Sequence, residues 1–217
     1  MNRRGRTMAY ISSLLLIAGI YLMVLASPGP NFFILSQMAL NGRQKEARYV
    51  VLGLTTGSIF WVVVALAGVA ALLARHPLLA SVVRLTGAAY LGWYGARLLW
   101  SAIRHAPKPV GPVQAANGTY ARAAAYRTGL LTGVTNPKGA AFWTSAFAAL
   151  FPANAPTWFC LATVVTVAVM SLAWHLGITA VFGTAALRSR YLRIERAVNG
   201  LAGGALVVLG IQRMVLR

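Results

Sequence analysis

An uncharged run of 32 residues, Ala9 to Leu40, carries Ser27-Pro28-Gly29-Pro30-Asn31 in its second half. About a hundred residues later a second apolar stretch carries Asn136-Pro137-Lys138. The first run is too long for one straight helix across a bilayer, whose core needs roughly 20 residues of helix. Each proline lacks an N–H and crowds the carbonyl of the preceding turn, so it frees backbone polar groups that hydrocarbon cannot satisfy. Two broken membrane helices imply a polar site between them.

Of the 217 residues, 59% are hydrophobic, more than a single soluble core would bury, so the chain reads as an all-α, polytopic membrane protein. Uncharged or nearly uncharged runs fall at Ala9 to Leu40, Tyr49 to Ala74, Leu78 to Ser101, Thr128 to Phe151, Thr157 to Leu187 and Ala197 to Ile211. They predict six spans, with the first and fourth broken by proline. The last run is short, and its helix is expected to begin nearer Ile194, with Arg193 and Arg196 reaching the interface. The first run is too long for a signal peptide and leads into more apolar chain, so that span is expected to remain.

A net charge of +18 does not point to nucleic acid, because the 20 basic residues sit at the ends of apolar runs rather than on a folded polar surface. They report topology. With the N-terminus outside, the cytosolic side holds Arg43, Lys45, Arg48, Arg97, Arg104, Lys108, Arg122, Arg127, Arg188, Arg190, Arg193 and Arg196, against seven on the other side. The positive-inside bias therefore places both termini outside. Arg3, Arg4 and Arg6 dissent, and translation from Met8 would remove them. The lone Cys160 excludes an internal disulfide and a cysteine metal site, and reads as packing.

His105 to Ala121 holds Pro107, Pro109, Pro112, Gly111 and Gly118 without apolar periodicity, a linker extending to about residue 123. It divides a single 1–217 transporter domain into repeats of about 9–104 and 124–217. Three spans per half is odd, so the second half must lie inverted relative to the first, the plan of many transporters. Gly87-Ala88-Ala89 with Arg97 recurs as Gly203-Gly204-Ala205 with Arg213 at the same spacing. Pro30 lies 11 residues before Asn41, and Pro137 lies 9 residues after Thr128 at the same face. At 1.5 Å per residue both breaks sit roughly 15 Å deep, near the midplane, so they are expected to face each other.

Lys138 is the one fixed charge deep in the spans, where an ammonium costs at least about 2.5 to 3.5 kcal/mol and normally faces a cavity or an anion. Snorkelling to the interface is the alternative. Just after a helix break, its charge would add to free N–H groups at a half-helix N-terminus, a seat for a carboxylate. Pro28, Gly29, Pro30 and Asn31 at one break, and Asn136 and Pro137 at the other, complete the expected substrate site. The two amides suit capping as well as ligand contact. Gln37, Ser36, Thr135 and Thr132 could extend a polar path or bond only their own helices. His175 is the intramembrane group whose ordinary pKa lies near neutrality, a candidate proton carrier or a structural histidine. Trp174 beside it can stack on a substrate or pack. Glu46 and Glu195, the only acids, are expected in cytosolic loops among arginines.

Gly53 to Gly57, Gly129 to Gly133 and Gly200 to Gly204 have the small-residue spacing that lets membrane helices approach closely, within the chain or in a homodimer.

Ser27-Pro28-Gly29-Pro30-Asn31-Phe32-Phe33, a Gly-rich second span and Asn136-Pro137-Lys138 together resemble the LysE/RhtB amino-acid exporters over nearly the whole chain. Lys45-Glu46-Ala47, Val51-Leu52-Gly53 and Leu172-Ala173-Trp174 look most like the threonine/homoserine exporter branch. The resemblance implies six spans in a bacterial inner membrane and proton-driven efflux of small amino acids, with the lipid bilayer, protons and a small amino acid as partners. Members often carry Asp where this chain has Asn31, and many carry Asp where it has Ser58; this chain has no aspartate at all. Cationic substrates become less suitable, whereas a zwitterion can set its carboxylate on Lys138 and its ammonium on carbonyls freed by Pro28, Pro30 or Pro137. Proton coupling then falls to His175 or Lys138.

Two other classes compete. A membrane enzyme would need a metal cluster or carboxylate pair that two Glu and three His do not supply, so neither enzyme activity, metal nor cofactor is expected. A scaffold or lipid-handling protein would use the prolines as mere kinks. An exporter of some other small metabolite is the nearer alternative.

Overall fold

A computed structural model describes residues 3–75, 77–104, 122–152, 155–182 and 185–215. These form eight helices: α1 (Arg3–Ala26), α2 (Pro30–Leu40), α3 (Gln44–Arg75), α4 (Pro77–Ile103), α5 (Arg122–Thr135), α6 (Pro137–Leu150), α7 (Thr157–Val181) and α8 (Ala185–Val215). Windows at Thr7–Ala26, Gln44–Gly68, Thr157–Val181 and Arg196–Val215 are long and apolar enough to cross a bilayer. The chain is an all-α integral membrane protein. The linker expected over 105–121 lies outside the described residues.

Both expected breaks are present. The Ser27 N–H still bonds the Met23 carbonyl at 3.1 Å, but Pro28 and Pro30 cannot donate to Val24 and Ala26, and α1 stops. Extended Gly29 is the N-cap of α2, with Pro30 in the first helical turn where its missing N–H costs nothing. At the other break Asn136 caps α6, its Oδ1 accepting the Lys138 backbone N–H at 3.0 Å behind Pro137. That bond diverts the Lys138 N–H from the Val134 carbonyl, which accepts the Trp61 indole N–H of α3 at 3.1 Å instead. The α2 helix ends at Leu40, and Gly42 just past its C-cap has a φ of 71° that suits glycine, with Gly42 N–H on Ala39 and Arg43 N–H on Met38.

Two helix boundaries differ from expectation. The fifth apolar run extends to Leu187 but its helix, α7, ends at Val181, and α8 begins at Ala185, nine residues before Ile194. Apolarity located the membrane-crossing window but not the basic turns that precede it, because arginine is itself a good helix former.

Glycines set the closest helix pairs. A Cβ at Gly53 would strike the Tyr126 carbonyl, and one at Gly129 the Val50 carbonyl; at Gly57 it would lie 3.0 Å from Gly133. The α3 and α5 stripes therefore pack against each other, in parallel, within one chain. The third expected pair is corrected: Gly204 has nothing within 4 Å, whereas Cβ atoms at Gly203 and Gly95 would come within 2.7 Å and 2.6 Å of the other's carbonyl. With Gly210 against Ala88 and Gly92, they bind α4 to α8 antiparallel.

On α7, Phe159, Thr163, Val167, Ser171 and His175 are buried at four-residue spacing, while Leu161, Val165 and Val169 are exposed on another face. That is one protein-facing and one lipid-facing stripe of a single helix. Tyr21 of α1 and Phe142 and Trp143 of α6 carry the aromatic core beside the breaks.

Candidate functional site

The two breaks meet. The Asn136 side-chain Nδ2 donates to Asn31 Oδ1 at 3.0 Å across 105 residues of sequence. The Lys138 ammonium reaches back past them to the Ser27 carbonyl, the last turn of α1. The N-terminal ends of α2 and α6 thus converge with a lysine between them, an arrangement that favours negative charge. The aliphatic stem of Lys138 passes Gly29, where a Cβ would lie 3.6 Å from its Cδ.

A cleft of about 500 Å³, its open mouth included, opens at this junction. Gly29, Asn31, Asn136 and Lys138 line it from the breaks, and Trp174 and His175 from α7. No acidic side chain is among its lining residues, and the described residues contain no cluster able to hold a metal ion.

Opposite the breaks, His175 is 2% exposed, and its Nδ1 lies 3.2 Å from the Ser171 hydroxyl. Ser171 in turn lies 3.3 Å from Thr55 and 3.5 Å from Ser58 on α3. Behind the first break, the Ser27 hydroxyl donates to Asn199 Oδ1 at 2.9 Å, and Asn199 is itself 5% exposed. Its Nδ2 reaches Ser101 Oγ of α4 at 3.4 Å, so the end of α1 is tied to both α8 and α4.

Of the expected site residues, Gly29, Asn31, Asn136, Lys138, Trp174 and His175 line one cleft. Pro28 and Pro30 lie outside the lining, and Pro30 is exposed; their contribution is to the course of the backbone. Pro137 heads α6. The polar path is not built: Ser36, Thr132 and Thr135 bond the carbonyls of Phe33, Thr128 and Leu131 in their own helices. Glu46 lies in the first turn of α3, where the helix dipole favours it. Sequence reasoning missed Tyr21, Ser171 and Asn199. Ser171 was legible as the residue one turn before His175 on the same face; Tyr21 carries no motif.

Residues 22–216 match the LysE type translocator family. The chain is 30% identical over 210 residues to the threonine efflux protein of Escherichia coli K12, covering 94% of this chain and 98% of that protein. It is 30% identical over 206 residues to the threonine efflux protein of Salmonella typhi, covering 93% and 97%. To the leucine efflux protein of Enterobacter sp. strain 638 it is 27% identical over 197 residues, covering 89% and 88%. No solved structure matches the chain. With two proline-broken helices meeting at a lysine-bearing cleft, and a family match over nearly its whole length, the chain belongs to the LysE type translocators and is a membrane transporter, not an enzyme.

Proposed function

We propose that this transporter exports small neutral amino acids, threonine or homoserine foremost, across a bacterial cytoplasmic membrane by proton-coupled alternating access. The observation that carries the reading is the Lys138 ammonium at the meeting point of two half-helix N-termini, beside the Asn31–Asn136 amide pair. Substrate carboxylate displaces the Ser27 carbonyl from Lys138 and lies at the positive end of the α2 dipole. Substrate ammonium takes the carbonyl that Lys138 vacates and the amide oxygens. Pro28, Gly29, Pro30 and Pro137 hold the backbone open for this exchange, and Trp174 closes one wall. His175, beside Ser171, carries the coupling proton.

In this reading α1–α2, α3, α4, α5–α6, α7 and α8 are six spans in two inverted halves. Twelve of the 20 basic residues then fall on the cytosolic side, and both termini on the periplasmic side. Relatives named for threonine and leucine efflux support the substrate class. The test is efflux from preloaded cells with labelled threonine, homoserine and leucine, with and without a protonophore. Protonophore-sensitive threonine or homoserine export is expected. No export of any of the three, from protein verified in the membrane, overturns the proposal.

A further inference from the structure

The cleft has two kinds of polar wall. At the breaks every side chain is engaged: Asn31 with Asn136, Asn136 with Lys138, Lys138 with Ser27. Deeper, two buried donors have no hydrogen-bond partner, the Tyr21 hydroxyl and the Trp174 indole N–H, and both residues line the same cleft. Buried polar groups are nearly always paired, so two orphan donors on residues that line one cleft call for a ligand or an ordered water.

Tyr21 is the more telling of the two. Its residue is 3% exposed, and its ring is held between Trp143, at 4.7 Å between centroids, and Phe142, at 6.1 Å. The hydroxyl cannot swing away to find water. The Ser58 and Ser171 hydroxyls lie beside it, without a hydrogen bond of full geometry to either. Ser58 is already occupied with the Leu54 carbonyl at 3.2 Å, and Ser171 with Thr55 and His175. The wall therefore offers one unused donor at Tyr21 and, at Ser58, a hydroxyl oxygen still able to accept. A substrate hydroxyl satisfies both demands at once, accepting from Tyr21 and donating to Ser58.

We propose that Tyr21 is the specificity-determining residue of the cleft, selecting amino acids whose side chain carries a hydroxyl over apolar isosteres. This inference rests on the proposed reading of the chain as an amino-acid exporter. A site built to pair a hydroxyl rejects the analogue that lacks it, because its own buried donor is then left unpaired. Valine is the decisive competitor for threonine, since a methyl replaces the hydroxyl at nearly the same volume.

The experiment is counterflow of labelled L-threonine in proteoliposomes of the full chain, with unlabelled L-threonine and L-valine as competitors. Wild type should prefer threonine by about tenfold or more. In Tyr21→Phe the threonine concentration for half-maximal exchange should rise about tenfold with valine unchanged, and the preference collapse. Phenylalanine keeps the ring contacts, so thermal stability should be no lower. Ser58→Ala, which removes an acceptor from the same wall, should shift the ratio in the same direction about threefold, and serves if Tyr21→Phe fails to fold. An unaltered threonine-to-valine ratio overturns this inference, while threonine counterflow by wild type leaves the exporter reading standing. Absence of threonine counterflow in wild type overturns both.

Discussion

Replacing Lys138 by Gln separates transport from folding, because its two effects on stability oppose each other while its effect on substrate binding is a loss. The side chain keeps most of its length and can still donate to the Ser27 carbonyl, but the charge is gone. Two unit charges about 4 Å apart at an effective dielectric of about 20 attract by roughly 4 kcal/mol, and water in the cleft reduces this. Hydrogen bonds to charged groups are worth about 1.5–3 kcal/mol net. Carboxylate affinity should therefore fall about 10- to 150-fold. On the folding side, a charge-assisted bond to Ser27 is weakened, but the insertion penalty of about 2.5–3.5 kcal/mol for a buried ammonium is relieved. Abundance and melting temperature should stay close to wild type. The assay is counterflow at substrate concentrations below half-saturation, normalised to purified protein, with detergent-stability curves in parallel. Wild-type counterflow by Lys138→Gln would refute the placement of substrate carboxylate at this lysine.

Gly129→Ala drives a methyl into the Val50 carbonyl of α3, a backbone atom that cannot rotate away, so stability should drop by about 1–3 kcal/mol or more in a thermal melt. Asn136→Ala removes the α6 cap, worth about 1 kcal/mol, and strands Asn31 Oδ1; counterflow should fall together with stability. Asn136→Asp retains the cap and should restore stability but not counterflow, since its carboxylate competes with the substrate's for Lys138. His175→Gln should leave downhill exchange of threonine in place while abolishing its acceleration by an imposed pH gradient; undiminished acceleration would remove His175 as the proton carrier.

Why some of this was readable in the sequence and some was not has a physical cause. Proline breaks a helix through its own covalent structure, so Pro28, Pro30 and Pro137 marked both discontinuities without reference to any neighbour. That they should face each other was expected from helix rise alone, and the Asn31–Asn136 bond brings them together. Glycine spacing announced close packing on α3 and α5 but chose the wrong member on α8, because Gly200, Gly203 and Gly204 differ only in which side of the helix meets α4. Tyr21, Ser171 and Asn199 are ordinary residues in apolar runs. What makes them part of the site is the helix that packs opposite, and no local pattern encodes that. The helix start at Ala185 was hidden for a different reason, since a basic, apolar-poor turn has no hydrophobic period to detect.

The chemistry of the cleft follows from an imbalance. It holds a lysine and lacks any acidic lining residue, in a chain with no aspartate at all. In the proposed reading neutralising charge arrives with the substrate, as a carboxylate, while the substrate's own ammonium is left to carbonyl and amide oxygens. Those oxygens exist only because the helices are broken: Ser27 and Asn31 flank one proline pair, and Asn136 caps the helix that begins at the other break. A zwitterion balances this account, but an amino acid with a cationic side chain does not. A second positive charge about 6 Å from Lys138 at an effective dielectric of about 20 is opposed by roughly 3 kcal/mol, on the order of a hundredfold in affinity. Lysine and ornithine should accordingly fail to compete with threonine in counterflow, and Ser58→Asp, which places a carboxylate on the cleft wall, should admit them. Competition by lysine in the wild-type protein would mean that the cleft finds its negative charge elsewhere and that Lys138 does not set its sign.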